Sequence, residues 1–374
     1  MIQFSGYIED VSYTACVIPD TFPRYALSDF EVNAAKPYGV LQLAQGEIAY
    51  SKWVSPKRTR SYPFERIYNT YNFPMRVTII PVIKDEGADG DFDRIQFSTV
   101  SWMSLLNVYI VLAYYERADK NQSSAQRHKH KLTRQRFDTE LVREQLAEVA
   151  RYKQSAYHWN RNLFERQYTD IYRKALDAYE QVSKTTQVRV HERQAQDQYL
   201  QQVTSDFAHF QNVSAEGSAR AAQREVATLH RLELLRGGEK ASLRIQNYMR
   251  GEYHLTADEV FFEEGKVILQ ESKNASTGRL PALSDIRDGL FKLILYSNLS
   301  RLEYEGVNLK FETCLCLTGK QINGSITLPT LENELLPFLE ANPQFSQREK
   351  GILNQLRQEV SSNPKITVTV SGHA

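Results

Sequence analysis

The chain has 374 residues, 41% hydrophobic and 24% charged, which supplies one large core or two to three smaller ones. Its 46 basic and 45 acidic residues leave a formal net charge of +1. That balance excludes a uniformly basic, histone-like protein but not a local cationic surface. Cys16, Cys314 and Cys316 are too few and too scattered for a disulfide framework or a four-ligand zinc site, a pattern that fits a reducing, cytoplasmic setting.

The opening MIQFSGYIED lacks the basic start and apolar run of a signal peptide. Residues 1–119 read as a mixed α/β region. Arg76 to Ile83, RVTIIPVI, is strand-like and rich in β-branched residues. An acidic turn follows, with Asp85, Glu86, Asp89, Asp91 and Asp93. Its spacing does not match a calcium loop, and a solvated turn that orders the next strand explains it. RIQFSTV at Arg94 to Val100 predicts another strand, and Trp102 to Tyr115 predicts a buried helix too short to span a membrane.

Composition shifts near Lys120. From there to about Leu235 proline is absent, and apolar and tyrosine residues recur at helical spacing, from Leu141 through Tyr157 and Tyr168 to Tyr179. This predicts a long helical arm over 120–235, one or two helices paired as a hairpin and broken near Ser183 to Thr186. Tyrosines so spaced suit burial in a helical layer or a partner surface. Lys57, Arg58 and Arg60 form one basic face, and His128, Lys129, His130, Lys131, Arg134 and Arg136 another. Each reads equally as ordinary charged surface or as a phosphate contact. Residues 236–374 form the third region, ending in helices interrupted by Pro337 and Pro343 and in the strand KITVTV.

The chemistry concentrates in LTADEVFFEEGKVILQESKN, Leu255 to Asn274. Val260 to Phe262 and Val267 to Leu269 suit two strands, and Glu263-Glu264-Gly265 suits the tight turn between them. Glu271 and Lys273 are two apart and so share a strand face. Asp258, on the first strand, lies beside the end of the second. Two carboxylates placed in this way can share a hard divalent ion, and an ammonium beside them can position a water or neutralise a phosphate. Glu-x-Lys is also a common exposed salt bridge, so the pair alone is weak evidence. A helix is predicted next, with Ser284 as N-cap, an apolar side of Leu290, Phe291, Ile294, Leu295 and Leu299, and Lys292 and Tyr296 on one face. No glycine-rich nucleotide loop and no serine-elbow motif occurs.

Asp258, a hairpin and then Glu271-x-Lys273 resemble the PD-(D/E)XK nuclease superfamily, and Lys292-x-x-x-Tyr296 is similar to an element on the next helix of several members. Ala257 stands where a loosely kept proline would be, and Glu259 where an apolar residue is usual. SKNASTGRLPALSDIRDGLFKLILYSNL and IIPVIKDEGADGDFDRIQFSTVSWMSLL further resemble a group of type II restriction endonucleases. The resemblance implies an α/β, restriction-endonuclease-like mixed sheet flanked by helices. It implies Mg²⁺ on Asp258 and Glu271, a water held by Lys273, and site-specific cleavage of double-stranded DNA that leaves 5′-phosphates. A further glutamate is expected on the helix before the hairpin, with Glu239 as first candidate and Glu225 and Glu233 as others. Arg279 is a candidate phosphate or groove contact. The expected partners are double-stranded DNA and a second copy of the chain, with no membrane, and a cognate DNA methyltransferase in the same system that is not bound. Two other readings stay open: a nuclease without sequence specificity, and an inert DNA-binding scaffold.

Overall fold

A computed structural model describes residues 2–44, 46–57, 63–123, 130–204, 238–248, 252–263 and 265–372. The chain divides into two compact units, Met1–Asp20 with Ser218–Ala374, and Thr21–Gly217. These boundaries differ from the three regions read from sequence. The reason lies in the first strand. Ile2–Ile8 pairs in parallel with Glu239–Asn247 and belongs with the C-terminal part of the chain.

The first unit is built on a nine-stranded mixed sheet. In spatial order its strands are Val307–Asn308, Arg301–Tyr304, Ile2–Ile8, Glu239–Asn247, Glu252–Glu263, Lys266–Asn274, Phe311–Gly319, Ile366–Gly372 and Ser325–Leu328. Glu252–Glu263 and Lys266–Asn274 form the expected hairpin, and Gly265 takes the positive φ of +80° that its turn requires. From Asn274 the chain rises into the helix Leu283–Ser297 and returns as Phe311–Gly319, parallel to Lys266–Asn274. The helix Gln347–Ser362 leads in the same way into Ile366–Gly372, parallel to Phe311–Gly319. Such parallel crossovers leave helices on a sheet face. Leu290, Phe291, Ile294, Leu295 and Leu299 are buried, as their spacing predicts. The cap differs from expectation: Ala282, not Ser284, holds the N-cap position, without a side-chain hydrogen bond. Pro337 lies inside the helix Glu332–Glu340. Cys314 and Cys316 are buried strand residues, as expected.

The second unit has a five-stranded sheet in the order Arg24–Ala26, Tyr38–Gln42, Glu47–Lys52, Arg76–Pro81, Tyr109–Ala113. Two expectations fail here. FSTV begins the helix Phe97–Leu105 rather than ending a strand. That helix stops well short of Tyr115: Asn107 turns left-handed, at φ 53°, and the chain continues as the strand Tyr109–Ala113. A continuous apolar run carries no period, so sequence alone does not separate a buried helix from a buried strand.

The predicted helical arm is also different. Among the described residues it comprises the strand Leu132–Phe137, paired with Tyr115–Lys120, and the helices Thr139–Arg151, Ala156–Arg166, Tyr168–Thr186 and Arg193–Thr204. The break falls at Gln187, in left-handed conformation at φ 57°. Two of these helices cover the edge strand Tyr109–Ala113. Buried Gln145 accepts from the Leu112 amide at 3.0 Å and donates to its carbonyl at 2.6 Å. Asn160 accepts from the Ile110 amide at 2.8 Å and donates to the Val108 carbonyl at 3.0 Å. Side chains thus complete a sheet edge whose backbone groups would otherwise be open. Tyr168, Tyr172 and Tyr179 are buried in this layer.

The acidic turn is not solvated throughout, because Asp85 and Asp93 are buried. Asp85, 2% exposed, accepts from the Gly87 amide at 2.7 Å and the His191 amide at 2.9 Å. His191 Nδ1 lies 2.9 Å from the same carboxylate. Arg58, Arg60, His128 and Lys129 lie outside the described residues.

Candidate functional site

Pairing of the hairpin strands runs from Glu263–Lys266 to Glu259–Gln270. On the other side of Glu252–Glu263, its pairing with Glu239–Asn247 shifts by one residue between Glu239 and Ala241. Glu239 faces Val260 and Ala241 faces Ala257, so both Asp258 and Glu259 stand against Lys240. This bulge turns neighbouring side chains to opposite uses, a common device at functional sites. Asp258 is half-buried, and its Oδ2 accepts the Ser272 amide hydrogen at 2.9 Å. Glu259 is 1% exposed and accepts from Gln270 Nε2 at 2.6 Å and from Ser272 Oγ at 3.2 Å. The acidic residue after Asp258 is therefore held within a buried polar cluster.

Glu271 and Lys273 project toward the helix Leu283–Ser297, on the Leu315 side of the sheet. The helix meets them with one stripe. Asp288, Lys292 and Tyr296 recur every fourth residue. Lys273 Nζ lies 3.2 Å from Asp288 Oδ2, Lys292 Nζ 2.7 Å from Glu271 Oε1, and Tyr296 donates to the Thr256 carbonyl at 2.9 Å. Lys273 Nζ is also 3.1 Å from Glu271 Oε1, so that one oxygen holds two ammonium groups. The Glu271 side chain is only 1% exposed, and its Oε2 is buried with no hydrogen-bond partner.

These charges stabilise one another in a medium that would otherwise disfavour each. Burial raises the Glu271 carboxyl, but the Lys292 and Lys273 ammoniums overcome it and hold it below the usual carboxylate value. Burial likewise opposes the charge on both lysines. Glu271, with Asp288 and Asp258 adding, holds Lys273 above its ordinary value, and Glu271 followed by Asp258 holds Lys292 well above. All three groups are thus charged at neutral pH.

The sequence reading placed Asp258, Glu271 and Lys273 together, and the fold brings them to one end of the hairpin. It did not connect Asp288 with Lys273. The signal was present, because Asp288 is four residues before Lys292. Glu239 does not join the site as foreseen: it opens a strand rather than standing on a helix, and it is exposed. Glu225 and Glu233 lie outside the described residues. Arg279 follows the site in the loop to the helix, with Nη1 4.0 Å from Glu349 Oε2.

Among the described residues, no three His, Cys, Asp or Glu side chains converge as a metal cluster. The set here is the carboxylate pair Asp258 and Glu271. Mg²⁺ commonly uses one or two carboxylates and keeps its remaining waters, so a pair is compatible with it. The buried, unpartnered Glu271 Oε2 is the acceptor that such an ion would use. No helix among the described residues is long and apolar enough to cross a membrane. No protein-family model matches the chain, and no curated protein or solved structure matches it either.

Proposed function

We propose that the unit carrying the hairpin is a Mg²⁺-dependent, site-specific endonuclease of double-stranded DNA, of the type II restriction class within the PD-(D/E)XK superfamily. The observation that carries this reading is the constellation at the hairpin end: Asp258 across from Glu271, Lys273 beside Glu271, and a Glu271 oxygen left without a partner.

Asp258 and Glu271 would hold the cation, which supplies charge neutralisation at the scissile phosphate. Lys273 would offer a donor to a water approaching that phosphate, with its ammonium held 3.2 Å from Asp288 Oδ2. Tyr296, donating to the Thr256 carbonyl, holds the helix against the hairpin, and in the metal-free protein Lys292 does so as well. A strand-pairing bulge at Asp258 and a helix locked by three polar contacts make a site on rigid elements. Membership of that superfamily implies products with 5′-phosphates. A palindromic target is matched by a two-fold dimer with one site per strand. The restriction reading carries with it a cytoplasmic setting and a cognate methyltransferase.

The test is incubation of wild type and Lys273→Ala with a long unmethylated DNA, in Mg²⁺ and in EDTA. Discrete fragments from wild type alone, and only with Mg²⁺, are expected. A smear that requires both Mg²⁺ and Lys273 would replace sequence specificity with general nuclease activity. Equal behaviour of the two proteins in both media would overturn the reading.

A further inference from the structure

The Glu271 carboxylate has its negative charge already answered. Two ammoniums share its Oε1, at 2.7 Å from Lys292 and 3.1 Å from Lys273. Lys273 has a second carboxylate within reach, Asp288 at 3.2 Å. Lys292 makes its hydrogen bond to Glu271, and the carboxylate that next most stabilises its charge is Asp258. So the Lys292 ammonium sits under the influence of the same two carboxylates that the proposed function assigns to a divalent ion. A dication beside Glu271 would meet that ammonium as a like charge in a site of low dielectric, where such repulsion is strong.

We infer that Lys292 is an internal competitor of the divalent cation: its ammonium, on Oε1, neutralises Glu271 in the metal-free protein, and a cation binding the same carboxylate through Oε2 displaces it. This deepens the proposed function and rests on its assignment of Asp258 and Glu271 as cation ligands. The two lysines then have different parts. Lys273 can leave Glu271 for Asp288 and stay fixed within the site. Lys292 is the group that must yield. With Lys292 displaced, Asp258, Glu271 and Asp288 with Lys273 carry two net negative charges, which a dication balances.

The inference is tested without any cleavage reaction. Mn²⁺ alone is titrated calorimetrically into wild type, Lys292→Gln, Lys292→Arg and Asp258→Asn. Lys292→Gln is expected to tighten Mn²⁺ binding by about 5- to 150-fold, the ordinary range for coupling between two ligands of one protein. Lys292→Arg, which keeps the charge, should not tighten it, and Asp258→Asn should weaken it. Wild-type binding unchanged by Lys292→Gln would overturn the inference and leave the cation site standing. Binding by Lys292→Gln where wild type shows none would support it. Absence of binding in both proteins would overturn the inference together with the cation assignment. A second measurement needs no substitution at Lys292. In ¹⁵N-lysine-labelled wild type, the Lys292 ammonium signal, protected by its ion pair, should lose that protection when Mg²⁺ is added. Its persistence at Mg²⁺ saturation would overturn the inference.

Discussion

A Cβ placed on Gly289 would stand 3.2 Å from Lys273 Cε and 2.7 Å from Leu315 Cδ1. The absence of a side chain at this one helical position lets the helix Leu283–Ser297 lie close enough for Asp288 to reach the lysine. An alanine in a helix interior ordinarily gains about 1 kcal/mol over glycine. Here Leu315 is fully buried and cannot swing away freely. Gly289→Ala is therefore expected to forfeit that gain and lose about 1–2 kcal/mol net through overpacking. Denaturant unfolding of both proteins checks this, and a stabilised Gly289→Ala would show that the helix has room to lift.

The covered sheet edge gives a second expectation. Asn160 is fully buried and serves the Ile110 amide, the Val108 carbonyl and the Ser104 hydroxyl. Asn160→Ala leaves buried backbone groups unpaired, each costing about 1–3 kcal/mol. A total loss of about 2–4 kcal/mol is expected, with faster amide exchange at Ile110 as its local signature. Unchanged exchange there would mean that water replaces the amide.

Lys52 supplies a pH dependence. Lys52 is 8% exposed, and its ammonium donates to the Val32 carbonyl at 2.6 Å and the Ala35 carbonyl at 2.8 Å. Burial, with the Arg66 guanidinium adding, lowers it from 10.5 to about 8. Between those values the unfolded chain holds a proton that the folded chain has released. Stability contributed by this group therefore rises as pH climbs through the window and is absent below it, by up to about 1.4 kcal/mol per pH unit. Unfolding free energies from pH 7 to 10.5 should show this slope in wild type and lose it in Lys52→Met. The same slope in both proteins would assign it to other groups.

The hairpin was legible because its signals are local: strand alternation, a turn ending in Gly265, and carboxylate and ammonium two residues apart. The Lys292–Tyr296 face was legible for the same reason, through helical spacing. What stayed hidden depends on contacts distant in sequence. That Ile2–Ile8 joins the sheet beside Glu239–Asn247 is set by pairing far along the chain. That Asp288 answers Lys273 requires knowing where a helix crosses a strand. Gln145 and Asn160 look like ordinary polar residues of amphipathic helices, and only the strandless edge of Tyr109–Ala113 explains their burial. The run from Trp102 to Tyr115 misled because it is apolar throughout, so neither the helical nor the strand period could show.

The Glu271 cluster makes an expectation about stability that is independent of any cation. Glu271→Gln leaves Lys292 and Lys273 buried beside a neutral acceptor, with their charges no longer balanced at 2.7 Å and 3.1 Å. Breaking a buried ion pair from one side costs about 3–5 kcal/mol, chiefly because the remaining charge stays desolvated. Lys273 retains Asp288, so most of the loss should come from Lys292. Combining Glu271→Gln with Lys292→Met removes that stranded charge and should recover much of the stability. The cycle of wild type, two single variants and the double variant, measured by denaturant unfolding in EDTA, isolates the coupling. A large favourable coupling is expected between Glu271 and Lys292, and a smaller one when Lys273→Met takes the second place. Equal couplings would mean that Asp288 does not hold Lys273, and additive losses throughout would mean that the carboxylate and the ammoniums are separated by water in solution.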